Sequence, residues 1–203
     1  IKALVQKLIS FFPQREKINF FFQKYVTRGV ELSDDYFAYK LTHARDHLRY
    51  FRQYGSLPLS EATILELGLG WYPIVPIALF LSGAKRIISV DIQDWMTARS
   101  QLATIRKFEE WRKSGQLDAY LSELDEERWA LMLALTQKEV VPGLEEISRV
   151  IHLQPMLEDA RALPFSESEI HYICSNNTFE HIPAPVLSDI LKEFGRVLQE
   201  GGV

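Results

Sequence analysis

Ile64-Leu65-Glu66-Leu67-Gly68-Leu69-Gly70-Trp71-Tyr72-Pro73, with Ser89-Val90-Asp91-Ile92 behind it, decides the fold of this chain. Thr63–Leu67 is a short apolar run that stops at a glycine turn, which suits a buried parallel strand. Pro73 stands where a helix begins, because proline is tolerated in a first turn. Ile74–Leu81 is apolar nearly all round and reads as a buried helix. Ser82-Gly83-Ala84 ends it, and Arg86–Val90 reads as a second strand leading to Asp91. Strand, glycine turn, helix, and a strand closing on an acid is how a doubly wound sheet builds a nucleoside site at its carboxyl ends.

Upstream, residues 1–60 carry aromatic, leucine and charged residues at helical spacing. Leu4, Leu8, Phe11 and Phe12 form one apolar face, and Phe20, Phe21, Phe22 and Tyr25 another. Ser33-Asp34-Asp35 is an N-cap signal for a helix through Leu41, Leu48 and Phe51, ended by Gly55-Ser56-Leu57-Pro58. The segment reads as an N-terminal helical cap on a core spanning 61–203. Downstream, residues 96–150 are amphipathic and helical, far longer than a crossover between neighbouring strands needs. They read as an insertion, either a lid over substrate or a helical pair that enlarges the core. Val150–Leu153 reads as a third strand, Ile170–Ser175 as a fourth, and Pro185–Leu198 as an amphipathic helix. The fold class is therefore α/β: a doubly wound, mainly parallel Rossmann-like sheet with a helical cap and a helical insertion.

The chain has 203 residues, 47% of them hydrophobic, and a formal charge of −4. That is enough to bury a sizeable core, and it leaves no basic footprint for nucleic acid. Cys174 is the single cysteine, so no intrachain disulfide forms. No apolar run reaches the length of a membrane span, and no signal peptide opens the chain. A cytoplasmic protein is the expectation. The chain opens on Ile1 and closes on Gly201-Gly202-Val203, which reads as a piece cut from a longer protein.

Gly68 and Gly70 let the backbone approach a ligand closely, since neither carries a Cβ. Glu66 at the strand end opposes a phosphate but suits an ammonium group or another cation. The third glycine of a dinucleotide fingerprint falls on Pro73. Both features speak against a pyrophosphate ligand and hence against a nicotinamide-dependent oxidoreductase. Asp91, about twenty residues past the turn, is placed to accept both hydroxyls of a ribose.

These segments resemble the first two motifs of the class I S-adenosylmethionine-dependent methyltransferases. Glu158-Asp159-Ala160-Arg161-Ala162-Leu163-Pro164-Phe165 is similar to the D-A-x-x-L-P-F segment of that superfamily's small-molecule branch. Ile170–Ile182, with Ser175-Asn176-Asn177-Thr178-Phe179-Glu180-His181, resembles its fourth-strand motif. Lys192–Leu198 with Gly201-Gly202 resembles the approach to its fifth strand. The resemblance implies S-adenosylmethionine as cofactor. Glu66, Gly68 and Gly70 would line its methionine part, Asp91 would hold the ribose, and Ile92 would lie against the adenine. Asp159 would accept from the adenine amino group and Ala160 would offer a backbone N–H. Asn176 and Asn177 would sit by the sulfonium and the substrate mouth. Two departures stand out: Tyr72 replaces a usual glycine, and His171 replaces an aspartate near the start of the fourth strand.

The implied activity is methyl transfer to an oxygen or nitrogen of a small molecule. His181 and Glu180 follow the fourth strand and are the candidate catalytic pair. The alternative is a non-catalytic methyltransferase-like domain used for binding or assembly, a reading that Tyr72 and His171 favour. The place of the Asn/Asp-Pro-Pro-aromatic motif of base and glutamine methylators holds Asn176-Asn177-Thr178-Phe179, so no nucleic-acid partner is expected. His43 and His47 share a helix face and a spacing that can hold a metal, but no third ligand is evident and no metal is expected. These histidines suit a cap helix touching the cofactor mouth, or plain packing. The family's sheet has further strands, so this one is expected to be incomplete at its C-terminal side. Its exposed fourth-strand edge would either pair with a second copy or be buried under helices.

Overall fold

The computed structural model describes residues 31–203, and Phe37–Val203 form one compact unit. The apolar faces at Leu4–Phe12 and Phe20–Tyr25 lie outside the described residues. Among the described residues, no helix is long and apolar enough to cross a membrane.

Helix α1 spans Asp34–Tyr54. Ser33 starts it, its Oγ accepting from the Tyr36 N–H at 3.2 Å, as an N-cap serine does. Strand β1, Thr63–Leu67, is buried along its whole length. Helix α2, Ile74–Leu81, is buried at every position, as its unbroken apolar sequence requires. Strand β2 is Arg86–Asp91. Helices α3 (Ala98–Lys113), α4 (Glu126–Ala134) and α5 (Leu144–Val150) follow. Strands β3 (Leu153–Leu157) and β4 (Tyr172–Ser175) and helix α6 (Ala184–Val197) complete the chain. The four strands are parallel in the order β3-β2-β1-β4, so β1 to β2 to β3 runs one way and β4 reverses it. The reversal leaves the carboxyl ends of β1 and β4 side by side, where open α/β sheets bind ligands.

One sheet face carries Leu65, Leu67, Ile88 and Val90 under Ile190, Phe194 and Val197 of α6. The other carries Ile64, Glu66, Ile87 and Ser89. Glu66 lies opposite Ser89 on one side and Cys174 on the other, so this face holds a row of three small or polar groups.

The third strand lies later than the sequence predicts. Val150 and Ile151 finish α5, where Ile147 and Ile151 turn inward, and β3 begins at Leu153. β3 is an edge strand with mostly exposed side chains, so it lacks the apolar run that marks a buried strand.

The insertion is anchored at the end of α2 away from the glycine turn. Arg128 of α4 donates to the carbonyls of Phe80 and Ala84 at 2.9 and 2.6 Å, and the Asp125 N–H donates to Leu81 O at 2.8 Å. A guanidinium on these last carbonyls satisfies acceptors the helix itself cannot. α1 joins the same layer through Phe37, whose ring meets Phe108 and Trp111 of α3 edge-on, each at 4.9 Å.

The outer edge of β4 is met by residues 198–203 rather than by a helix. Ile170 and Leu198 form a parallel bridge. The Val203 N–H donates to His171 O at 3.2 Å, and the Ile173 N–H donates to Val203 O at 2.7 Å. These bonds give partners to edge groups that would otherwise be unpaired.

Candidate cofactor and active site

The glycine turn is held from two sides. The Gly68 N–H continues the ladder to Val90 O at 2.9 Å. Ser175 Oγ and Thr178 Oγ1 both donate to Leu67 O, at 3.0 and 3.2 Å. Gly68 and Gly70 have φ of 91° and 64°. Their surroundings differ. A Cβ on Gly68 would lie 1.9 Å from Thr178 Oγ1, whereas a Cβ on Gly70 would meet nothing within 4 Å. Gly68 is thus required for packing against the β4 loop, and Gly70 faces the open space where a ligand can approach.

Glu66 sits beneath this turn with 3% of its surface exposed. Its carboxylate accepts from Ser89 Oγ at 2.9 Å. Burial pushes its pKa up to about 7, against the opposing pull of Ser89, Lys40 and the Asn176 amide. A buried carboxylate with so few partners fits a ligand cation, which would return it to the ionised form.

Asp91 ends β2, half-buried. One oxygen accepts from the Gln93 N–H at 3.0 Å, and the N–H groups of Gly70, Ile92 and Leu69 also pull its pKa down. Burial outweighs them, and the net shift is upward. Asp91 therefore ties the glycine loop to the loop after β2. Trp71 and Trp95 join the same two loops, with ring centroids 4.3 Å apart. Tyr72 is half-buried beside Trp71. Ile92 is 72% exposed, an apolar side chain left uncovered at the strand end, and Leu157, opposite Asp91 on β3, is exposed beside it.

Asp159 lies just past β3, where the Glu158 N–H donates to Asp91 O at 3.1 Å. Its carboxylate is exposed and gripped by Arg161 at 2.5–3.0 Å, and this pairing lowers its pKa to about 2. Ala160 is buried in the core beneath α6. Asn176 is buried and Asn177 is exposed, the latter at φ 59°. Asn177 Nδ2 donates to the Tyr39 hydroxyl at 2.9 Å, and Lys40 Nζ donates to Asn177 Oδ1 at 3.4 Å. Glu180 and His181 are exposed on a short 3-10 turn, Phe179–His181.

α1 brings further residues to this region, among them the histidines that the sequence suits to a cap helix touching the cofactor mouth or to plain packing. His47 contacts Tyr172 through Nδ1 at 2.9 Å and Asn176 through Nε2 at 2.8 Å. Both ring nitrogens are thereby committed to hydrogen bonds. Lys40 is close enough to Glu66 and Glu180 for both to raise its pKa, although burial lowers it on balance. The signal in the sequence is the His43–His47 spacing, which puts both rings on one helix face. His171 serves the fold instead of the site. Its Nδ1 accepts from the Thr63 N–H at 3.0 Å and closes the start of β1. Cys174 is buried beside Glu66, and burial pushes its thiol pKa up, away from nucleophilic use. A separate cleft of about 400 Å³ lies along the arginines of α1, but Arg52 is paired with Glu123 and Arg45 lies over Tyr120.

Residues 144–202 match a family model described as a methyltransferase domain. The likeness is to a methyltransferase domain and covers the C-terminal part of the chain. The match takes in the third and fourth strands, while the Glu66 and Asp91 motifs lie before it. No curated protein sequence matches the chain. Among solved structures, a protein of Methanococcus maripaludis described as an S-adenosylmethionine-dependent methyltransferase is 16% identical, with a TM-score of 0.49 over 89% of this chain and 60% of that one. A Pyrococcus horikoshii protein is 20% identical, with a TM-score of 0.49 over 84% and 57%. Geranyl diphosphate C-methyltransferase of Streptomyces coelicolor, solved with S-adenosylhomocysteine, is 14% identical, with a TM-score of 0.42 over 76% and 41%. The chain thus spans about 60% or less of these proteins' lengths.

Proposed function

We propose that this chain binds S-adenosylmethionine and serves a methyltransferase that alkylates an oxygen or nitrogen of a small molecule. The observation that carries the reading is the pairing of a buried carboxylate, Glu66, with an open glycine loop whose far side is anchored on Asp91. Glu66 would take the ammonium of the methionine part. Gly68 and Gly70 would let the backbone lie against it, Asp91 would take the ribose, and Ile92 would cover the adenine. Asp159 and Ala160 would meet the adenine edge once Arg161 releases the carboxylate. Asn176 and Asn177 would stand at the sulfonium end.

When bound, the cofactor supplies an activated methyl group, so orientation of the acceptor can carry much of the rate. Lys40, Asn177 and Glu180 would border the mouth on the α1 side, and His181 follows Glu180 directly. Glu180 or His181 would take the acceptor's proton, exposed as they are to a substrate arriving from solvent. Anchored on the far end of α2, the insertion would serve as core enlargement rather than as a lid. Electrostatics agree with a small acceptor, since the chain is net acidic.

Titration calorimetry with S-adenosylmethionine, S-adenosylhomocysteine and NAD tests this reading. Binding of the first two without the third is expected, and no binding of either adenosyl compound to the folded chain would sink it. A second reading, a non-catalytic binding domain of the same fold, is favoured by one feature. Both carboxylates assigned to the nucleoside, Asp91 and Asp159, already have internal partners. Cofactor binding without methyl transfer to any acceptor would support that second reading.

A further inference from the structure

A chain of polar groups runs behind the glycine loop from α1 to β1. The Tyr172 hydroxyl meets His47 Nδ1, His47 Nε2 meets Asn176 Oδ1, and the Asn176 amide acts on Glu66, which Ser89 holds from the other side. Asn176 is 7% exposed, its Nδ2 is shielded from solvent, and the acceptor its amide acts on is the Glu66 carboxylate. Burying an amide donor without a partner costs about 1–3 kcal/mol. Turned toward Glu66, the NH2 avoids that cost and leaves the carboxylate better able to hold its charge.

We propose that His47 is a positioning residue, holding the Asn176 amide with its NH2 turned toward Glu66 so that this carboxylate stays ionised for a cationic group of the bound ligand. This rests on the cofactor reading above, in which that cation is the ammonium of the cofactor's amino-acid end.

The polarity of the chain follows from what each group can do. A neutral imidazole has one N–H. If it sits on Nε2, it donates to Asn176 Oδ1, Nδ1 accepts from Tyr172, and the amide NH2 faces Glu66. If it sits on Nδ1, the amide must turn over, and its carbonyl would face a carboxylate. Ionised Glu66 therefore selects the first arrangement. His47 stays neutral because burial, His43 and Lys40 lower its pKa more than Asn176 and Asp46 raise it. Burial likewise keeps the Tyr172 hydroxyl protonated and able to donate. Phe51, edge-on to Tyr172 at 5.6 Å, adds no competing polar group.

The test uses the whole chain. Nitrogen-15 shifts of the His47 ring at pH 8 should show the proton on Nε2. His47→Phe should weaken S-adenosylhomocysteine about tenfold, one lost buried hydrogen bond's worth. His47→Gln, whose amide NH2 can still donate to Asn176 Oδ1, should restore most of that loss. A purely structural role would not distinguish the two variants in this way. A proton on Nδ1 in the wild type, or two variants that bind like the wild type, overturns the proposal alone. A wild type that binds no S-adenosylhomocysteine overturns the cofactor reading and this proposal with it. The ring shifts need neither variant to fold.

Discussion

The two ends of the candidate site are built differently. Around β1, β2 and the end of β4, Glu66, Ser89 and Asn176 are buried, and each is positioned by a neighbour on another element. Around β3 and the loop after β4, Asp159, Glu180 and His181 stand in solvent, and the pairing of Asp159 is with Arg161, two residues away. The lesson concerns where substitution should hurt. The first region is part of the fold's own packing, so changes there alter stability and binding together. The second can change without disturbing the core.

Gly68→Ala should produce the largest effect. It forces a Cβ into Thr178 at a φ that L-residues resist, so a loss of about 3 kcal/mol or more in urea unfolding is expected, with cofactor binding abolished. Gly70→Ala faces open space and should lose only about 1 kcal/mol of stability. Equal costs at the two glycines would break the contrast between a packed turn and an open one.

Glu66 should make stability depend on pH in an unusual direction. Its pKa is raised in the folded state, from 4.5 to about 7, so between those values the folded protein holds more proton than the unfolded chain. Stability then falls as pH rises through that window, by up to about 3 kcal/mol from this group. Glu66→Gln should flatten that part of the profile and gain stability at pH 8. The same variant should weaken cofactor binding at least tenfold, because a neutral amide accepts from an ammonium but forms no ion pair with it. A wild-type profile that rises from pH 5 to 7, unchanged in the variant, would contradict the burial argument.

Asp91→Ala should weaken S-adenosylhomocysteine by about tenfold or more, a charge-assisted bond to the ribose being lost, while the chain stays folded. The smallest effect should come from His181→Ala. It is exposed, so stability should stay within about 0.5 kcal/mol and cofactor affinity should not change. A large change in cofactor affinity would show that the exposed region is coupled to the buried one.

Much of the fold is legible because it rests on short-range signals. The bounds of β1 and α2 follow from an apolar run between Thr63 and Leu67 and an all-apolar helix after Pro73, and each is found where the residues place it. β3 is misplaced because an exposed edge strand carries no apolar pattern, while the neighbouring Val150 and Ile151 do. Glu66 and Asp91 are legible as site candidates because their register with the glycine turn is local. His47 is legible only as a helix-face histidine suited to the cofactor mouth or to packing, because its partners depend on α1 reaching Asn176 and Tyr172, more than a hundred residues away. His171 looks like a departure at the site and proves to be a cap on β1, a distinction only its partner, the Thr63 N–H, reveals.

Amide shift mapping of the full chain with S-adenosylhomocysteine tests the central claim most directly. The account predicts the largest changes at Leu69, Gly70, Asp91, Ile92 and Asn176, with little at the arginine cleft beside Tyr120. Changes confined to that cleft, or none at a saturating ligand concentration, would contradict it.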